Sequence, residues 1–204
     1  TMGALGATWR YRDQHALPHG DIRFVPFGDL DALEAALDED VAAVITEPIQ
    51  GIAGIIEPPE GWLRGVAEVT RAVGALLIVD EIQSGMGRMG VPLASELSGV
   101  RGDLVTVGKG LGGGFPVAAC LVSEAVAASV RPGEHGTTFG GAPLACAAIE
   151  VTLDIIEEDE LMEKARRVGE VLEETLLAVP GVESVRGGGA WIGVVLDRPA
   201  KSIR

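Results

Sequence analysis

Lys109 is the residue of this sequence best placed to do chemistry. It lies in the run DLVTVGKGLGGGFP at 103–116, after a short apolar segment and before a cluster of glycines. A second apolar segment, at 75–79, ends on Asp80. A lysine amine can form a Schiff base with an aldehyde cofactor, and a carboxylate can pair with a protonated ring nitrogen of such a cofactor. Taken alone, Lys109 is better explained as a solvated lysine beside a turn, because most lysines are exposed.

Short apolar segments alternate with amphipathic segments over the first 130 residues. The pattern predicts helices at 29–37, 61–73 and 123–130, and strands at 41–46, 75–79, 104–107 and 117–122. This alternation favours an α/β domain with a mostly parallel sheet. Ligands of such sheets gather beyond the carboxyl ends of the strands. Glu47, Asp80 and Lys109 each follow a predicted strand, so we expect them at one edge of the sheet.

The pattern changes after residue 142. Two long helices are predicted at 143–158 and 159–177, and two strands at 182–185 and 191–196. We predict a domain boundary near residue 152, with residues 1–152 in a large domain and 153–204 at the start of a small α/β domain. Residues 1–28 are predicted to form a polar loop.

Composition narrows the possible functions. The chain is 47% hydrophobic, carries a net charge of −14 and has no basic stripe, so nucleic acids and anionic membranes are not expected partners. No apolar run approaches the roughly 18 residues of a membrane span. Cys120 and Cys146 lie in apolar surroundings, and we expect both to be small core residues in a reducing, cytoplasmic compartment. No cysteine or histidine has metal-ligand spacing, so no metal site is expected.

Four ordered motifs carry a strong resemblance to one enzyme family. They are TEPIQG at 46–51, GALLIVDEIQ at 74–83 with GMGR at 85–88, GKGLGGGFP at 108–116, and HGTTFGG at 135–141 with PLA at 143–145. The chain resembles the class III pyridoxal-phosphate-dependent aminotransferases of fold type I, and among them the acetylornithine and ornithine group. The resemblance implies a mostly parallel sheet with helices on both faces. It also implies that the chain covers about the middle half of such an enzyme, and we expect this segment alone to be inactive.

The resemblance assigns roles to the residues of the second and third motifs. Lys109 would hold pyridoxal phosphate covalently and then act as general base and acid. Asp80 would pair with the pyridine nitrogen and keep it protonated. Gln83 would reach the phenolic oxygen of the cofactor, and Ile82 would pack on the face of its ring. A solvated glutamine and a core isoleucine remain alternatives for these last two residues.

The first and fourth motifs imply a phosphate site and a substrate gate. Thr138, with Thr137 as a possible second donor, would bind the cofactor phosphate of the neighbouring subunit, so the resemblance implies a homodimer with its active site at the subunit interface. Glu47 would be the gate that pairs with an arginine outside this chain when an ω-amino substrate binds. Simple capping or turn roles remain alternatives for all three residues.

Three positions depart from the family pattern. Ile52 stands where the family usually has an acid, Met89 where it usually has threonine, and Ala142 where it often has asparagine. None of them is a residue expected to bind the cofactor covalently or through its ring nitrogen. They bear on the substrate mouth, on loop packing and on the dimer contact.

The resulting expectation is transfer of an ω-amino group in two half-reactions. N-acetylornithine would give its amino group to the cofactor and leave as a semialdehyde, and 2-oxoglutarate would take that group and become glutamate. Ornithine, an aminoadipate-semialdehyde-type substrate of lysine synthesis and 4-aminobutyrate are the alternative substrates.

Two other classes of function compete with transamination. A catalytically silent dimerising module is one, although the retained Asp80, Gln83, Lys109 and Thr138 argue against it. A nucleotide-binding enzyme is the other, but Lys109 precedes the glycines, whereas the lysine of a P-loop follows them.

Overall fold

The computed structural model of the chain describes residue 8 and residues 22–200. Its main sheet has four strands in the order β1 (Ala43–Thr46), β2 (Leu76–Asp80), β3 (Leu104–Val107) and β4 (Ala119–Val122). The first three are parallel, and β4 runs antiparallel to β3. The predicted α/β fold with a mostly parallel sheet is confirmed. The loop predicted at 1–28 lies mostly outside the described residues.

The register of the sheet aligns the carboxyl ends of its parallel strands. Thr46 at the end of β1 lies beside Val79 of β2, and Asp80 at the end of β2 lies beside Thr106 of β3. Residues that follow these three strands therefore emerge at one edge, as the sequence predicts.

The helices of this half begin and end close to their predicted bounds. Helix α1 (Leu30–Ala36) is capped by Asp29, whose carboxylate accepts the N–H of Ala32 at 2.9 Å. Helix α2 (Trp62–Ala72) buries one apolar stripe, and α3 (Glu124–Ser129) is capped by Ser123. The core between α2 and the sheet is aliphatic, and its fully or nearly fully buried members include Leu63, Val66, Leu77, Val79, Val105 and Val107. This core fixes the strands whose ends carry the polar residues.

The remainder of the described chain consists of two long helices and a hairpin. Helices α4 (Pro143–Glu158) and α5 (Leu161–Leu177) precede the antiparallel pair β5 (Val182–Gly188) and β6 (Trp191–Leu196). Helix α5 approaches the hairpin closely, because a Cβ at Gly169 would lie only 2.5 Å from the carbonyl oxygen of Gly189. The predicted domain boundary near residue 152 falls within α4 and stays a prediction.

Two features differ from the expectations. Cys120 and Cys146 were expected in the core, but both are exposed free thiols. Strand β4 is the edge strand of the described sheet and α4 turns much of its apolar surface outward, so an apolar neighbourhood in sequence does not bury these residues here. Two short 3-10 helices, Ala94–Ser98 and Lys109–Gly112, were not predicted. Among the described residues, no helix is long and apolar enough to cross a membrane.

Candidate active site

The three residues expected at the carboxyl edge of the sheet lie there together. Glu47 directly follows β1, Asp80 is the last residue of β2, and Lys109 lies two residues beyond β3. The charges of Asp80 and Lys109 both act on the pKa of the Glu47 carboxyl group, in opposite directions. The predicted placement of these residues at one edge of the sheet is confirmed, and their roles stay predictions.

Lys109 occupies an unusual backbone conformation. Its φ is +47°, in the left-handed region that residues other than glycine seldom enter. The side chain is exposed, whereas Leu111, two residues on, is buried in the core and anchors the 3-10 helix that Lys109 begins. The tight turn after β3 thus holds Lys109 beyond the end of a buried strand, with its side chain exposed.

Lys109 borders a cavity of about 190 Å³. The cavity is lined by Ile82, Gln83, Gly85, Met86, Arg88, Lys109, Gly110 and Trp191. It therefore contains three residues that the sequence singles out, Lys109, Gln83 and Ile82. Trp191 comes from β6 and was not predicted to reach this place, since its sequence neighbours indicate only a strand.

Asp80 is held by two hydrogen bonds to the same oxygen. Its Oδ1 accepts the backbone N–H of Ile82 at 3.1 Å and the hydroxyl of Thr106 at 3.0 Å. Within the described part of the chain neither bond uses Oδ2, which leaves that oxygen to accept from a further donor. Thr106 was not predicted from the sequence, because its role depends on the β2–β3 register that places it beside Asp80.

Glu47 is a half-buried carboxylate. Its Oε2 accepts the N–H of Gly51 at 3.2 Å. Burial raises the pKa of Glu47 above its ordinary value of 4.5, and this effect exceeds the opposing hydrogen bond from Gly51. The charge of Asp80 raises the pKa further, and the cation of Lys109 lowers it. The site thus holds a carboxyl group that is costly to ionise in the absence of a further cation.

Comparison with known proteins identifies the family. The family model for class III aminotransferases matches residues 3–203. The chain belongs to the class III aminotransferases. It is 49% identical over 197 residues to an acetylornithine aminotransferase of Methanopyrus kandleri, covering 95% of this chain and 51% of that protein. It is 46% identical over 205 residues to the same enzyme of Corynebacterium efficiens, covering 98% of this chain and 50% of that protein.

Solved structures of class III aminotransferases share the fold. An ornithine aminotransferase of Toxoplasma gondii superposes with a TM-score of 0.89 at 34% identity, covering 100% of this chain and 50% of that chain. Another structure of ornithine aminotransferase from that organism superposes with a TM-score of 0.85 at 36% identity, covering 93% of this chain and 46% of that chain. That structure contains PLP at partial occupancy in its active site. The chain spans about half the length of the curated relatives it matches.

The threonines expected to bind phosphate lie apart from the cavity. Thr137 and Thr138 are exposed, and neither lines the cavity around Lys109 within this single chain. The role expected for them, in the site of a neighbouring subunit, stays a prediction. No group of three or more acidic, cysteine or histidine residues that could bind a metal occurs in residues 22–200 or at residue 8.

A buried glutamate in the second motif was missed by sequence analysis. Glu81 is fully buried; its Oε1 accepts the N–H of Ser95 at 2.7 Å, and its Oε2 accepts the N–H of Ala94 at 3.1 Å and the hydroxyl of Ser84. The carboxylate therefore ties the start of the 84–95 loop, which carries part of the cavity wall, to its end. The sequence signal was that Glu81 directly follows Asp80 at the end of a strand. Strand alternation predicts that the two side chains point to opposite faces, but it does not predict which groups Glu81 contacts.

The three departures from the class III pattern have different surroundings. Ile52 is 78% exposed, whereas Met89 is 7% exposed and packs with Ile49 and Ala94. Ala142 is the N-cap of α4 and offers no side-chain acceptor to the first turn. Met89 is thus a packing residue, and Ala142 leaves a helix end without the cap that asparagine would supply.

Proposed function

We propose that the full-length protein is a pyridoxal-phosphate-dependent aminotransferase. The observation that carries this proposal is the position of Lys109, which borders the same cavity as Gln83 and lies at the same edge of the sheet as Glu47 and Asp80. The left-handed backbone at Lys109 also supports the proposal, because strained residues cluster at functional sites. Since the chain spans about half the length of its relatives, the proposal concerns the full-length protein.

The residues at the sheet edge fit pyridoxal phosphate. Asp80 keeps Oδ2 available for the N–H of a ring nitrogen, while Thr106 and the N–H of Ile82 hold its other oxygen. Gln83 would bind the phenolic oxygen, and the apolar side chain of Ile82 would pack on the ring. When bound, the cofactor supplies an electron sink for the carbanion of the amino donor.

Lys109 performs two tasks in this proposal. Its Nζ would hold the cofactor covalently and, once free, would take a proton from the donor carbon and deliver it to the cofactor carbon. Asp80 would stabilise the positive charge on the ring nitrogen by accepting its hydrogen bond. Asp80 ends a strand and Lys109 follows one, and both strands have buried core residues, among them Val79 and Val107.

The amino donor proposed is N-acetylornithine, with 2-oxoglutarate as acceptor and N-acetylglutamate semialdehyde and glutamate as products. This choice is supported by the similarity to relatives named acetylornithine aminotransferases, and it would place the reaction in arginine synthesis. Ornithine is the second candidate, because several similar structures are ornithine aminotransferases. An aminoadipate-semialdehyde-type substrate and 4-aminobutyrate remain further alternatives.

Glu47 is proposed as the gate residue. A carboxyl group whose pKa is raised by burial gains from a cation at its side, because pairing offsets the cost of desolvating the charge. An arginine from outside the chain would supply that cation in one half-reaction and leave it in the other. The raised pKa of Glu47 supports this role, because a carboxylate that is already paired with a cation would gain less from a further cationic partner.

The proposal includes a homodimer whose subunits share each active site. Thr137 and Thr138 lie on an exposed loop with Phe139, whose side chain is 83% exposed, and Leu144 nearby is 68% exposed. Exposed apolar side chains in a cluster are typical of protein interfaces. The cytoplasm is the proposed compartment, and the two free thiols are compatible with it.

Borohydride labelling of the full-length protein tests the proposal. The chain has three lysines, Lys109, Lys164 and Lys201, so peptide mapping by mass spectrometry can distinguish them. After addition of pyridoxal phosphate and reduction, we expect a pyridoxyl group on Lys109. Lys109→Ala should abolish the label at this position and transamination, whereas Lys164→Ala, on the exposed side of α5, should retain both.

Two outcomes would contradict the proposal. An unmodified Lys109 in the folded, full-length protein would exclude the covalent chemistry and favour the catalytically silent module. A labelled protein that transfers amino groups from neither N-acetylornithine nor the alternative donors would leave cofactor binding intact but reject the proposed reaction.

A further inference from the structure

Among the described residues that line the cavity, Trp191 alone comes from the β5–β6 hairpin. The other lining residues belong to the segments around 82–88 and 109–110. Trp191 opens β6 and is half-buried. Its side chain packs against the small apolar cluster of Ile49, Met89 and Ala94. The indole therefore packs on this apolar cluster and also forms part of the wall of the cavity that Lys109 borders.

The indole rests directly on the backbone of Gly51. A Cβ at Gly51 would lie 2.7 Å from Trp191 Cζ2 and 2.6 Å from Gln83 Oε1, closer than real Cβ contacts. Gly51 has no positive φ that would require glycine, so space is the reason for glycine here. Because Gly51 has no side chain, the ring of Trp191 and the amide of Gln83 can both pack against its backbone.

The hairpin that carries Trp191 is held by contacts with residues 55–57 and with Arg88. Glu57 accepts the N–H of Gly187 at 3.0 Å, and a Cβ at Gly193 would lie 3.1 Å from Cβ of Ile55. The N–H of Ala190 also donates to the carbonyl of Arg88 at 2.9 Å. These contacts fix the backbone that carries the indole beside the cavity.

We propose that Trp191 is a specificity-determining residue that limits the size of the distal group of the amino donor. This inference rests on the proposed function. In the proposed transamination the ω-amino group of the donor would have to reach the cofactor carbon that Lys109 holds, so the rest of the donor would extend along the other walls of the cavity. A rigid indole on one wall admits a small N-acyl group and collides with longer ones.

A series of N-acylornithines tests the inference on the full-length enzyme loaded with pyridoxal phosphate. Wild type should prefer N-acetylornithine to N-butanoyl- and N-hexanoylornithine. In Trp191→Ala the ratio of kcat/KM for the hexanoyl donor to that for the acetyl donor should rise roughly tenfold or more, as a few methylenes in a pocket allow. Trp191→Phe should give an intermediate ratio. A merely structural role would lower all donors together and leave this ratio unchanged.

A second variant covers the case in which Trp191→Ala fails to fold. Gly51→Ala adds a methyl group against both the indole and the amide of Gln83, and we expect the shifted indole to lower kcat/KM for the longest donor relative to the acetyl donor. Gly188→Ala is the matched control, because its Cβ would make an ordinary 3.4 Å contact with Met89 Cε. We expect its donor ratios to equal those of wild type.

A spectroscopic readout places Trp191 independently of turnover. In the borohydride-reduced protein, pyridoxyl emission excited through tryptophan should fall in Trp191→Phe, because the indole borders the same cavity as Lys109. If wild type is labelled on Lys109 and active while the variants keep its donor ratios and this emission, the inference is overturned and the proposed function stands. If wild type is neither labelled nor active, both are overturned.

Discussion

Glu81 offers the sharpest test of how the cavity wall is held. The residue is fully buried beside Asp80, and its two oxygens accept three hydrogen bonds from the two ends of the 84–95 loop. Glu81→Gln keeps the shape of the side chain and replaces one acceptor oxygen with an NH2 group. The substitution therefore probes the acceptor pattern without creating a cavity.

The size of the effect follows from the geometry. Oε1 faces the N–H of Ser95 and Oε2 faces the N–H of Ala94, so the NH2 group points at a backbone donor in either orientation of the amide. A buried donor left without an acceptor costs about 1–3 kcal/mol. Ser84→Ala removes only the hydroxyl partner and should cost about 1 kcal/mol. We expect Glu81→Gln to be the more destabilising of the two.

Hydrogen exchange by mass spectrometry on the full-length protein measures this effect locally. Peptides that contain Ala94 and Ser95 should exchange about 5- to 150-fold faster in Glu81→Gln, the range that corresponds to about 1–3 kcal/mol. Peptides from α5 should exchange as in wild type and provide the internal control. Unchanged exchange at Ala94 and Ser95, together with an unchanged urea midpoint, would refute the view that this carboxylate holds the loop.

Other substitutions test the site and its supports by urea denaturation of the cofactor-free protein. Because burial raises the pKa of Glu47, ionisation of this group destabilises the folded state as the pH rises from 4.5 through the raised value. Glu47→Gln should therefore be more stable than wild type at pH 7 and lose this advantage below pH 4.5. A difference in stability that does not change with pH would contradict this. Gly169→Ala should destabilise the folded protein by about 1–3 kcal/mol, because its Cβ meets the backbone of Gly189. Gly65→Ala is the control and should be nearly neutral, because its Cβ meets only the flexible end of Leu30. Equal urea midpoints for the two variants would argue against the close approach of α5 to the hairpin. Ala142→Asn should stabilise by about 1 kcal/mol by capping α4, and an unchanged midpoint would show that the cap is not formed.

The sequence by itself determined the elements and the edge at which the chemistry would lie. Apolar segments of four to six residues are short enough to be strands, and strand–helix alternation leaves few arrangements other than a parallel sheet. Strand order was not needed to place Glu47, Asp80 and Lys109 together, because all parallel strands end at the same edge. The motifs around these residues then indicated the family, which the comparisons confirm.

Only the tertiary structure decided which other side chains support or shape the site. Thr106 reaches Asp80 through the register of β2 and β3, and Glu81 meets the backbone of residues 13 and 14 positions further along the chain. Trp191 lies 140 residues from Gly51 in sequence, yet its ring occupies the space that a side chain at Gly51 would fill. Local patterns report periodicity and propensity but carry no record of such distant contacts. The same limit explains the cysteines, whose burial depended on what covers β4 and α4 rather than on their apolar neighbours in sequence.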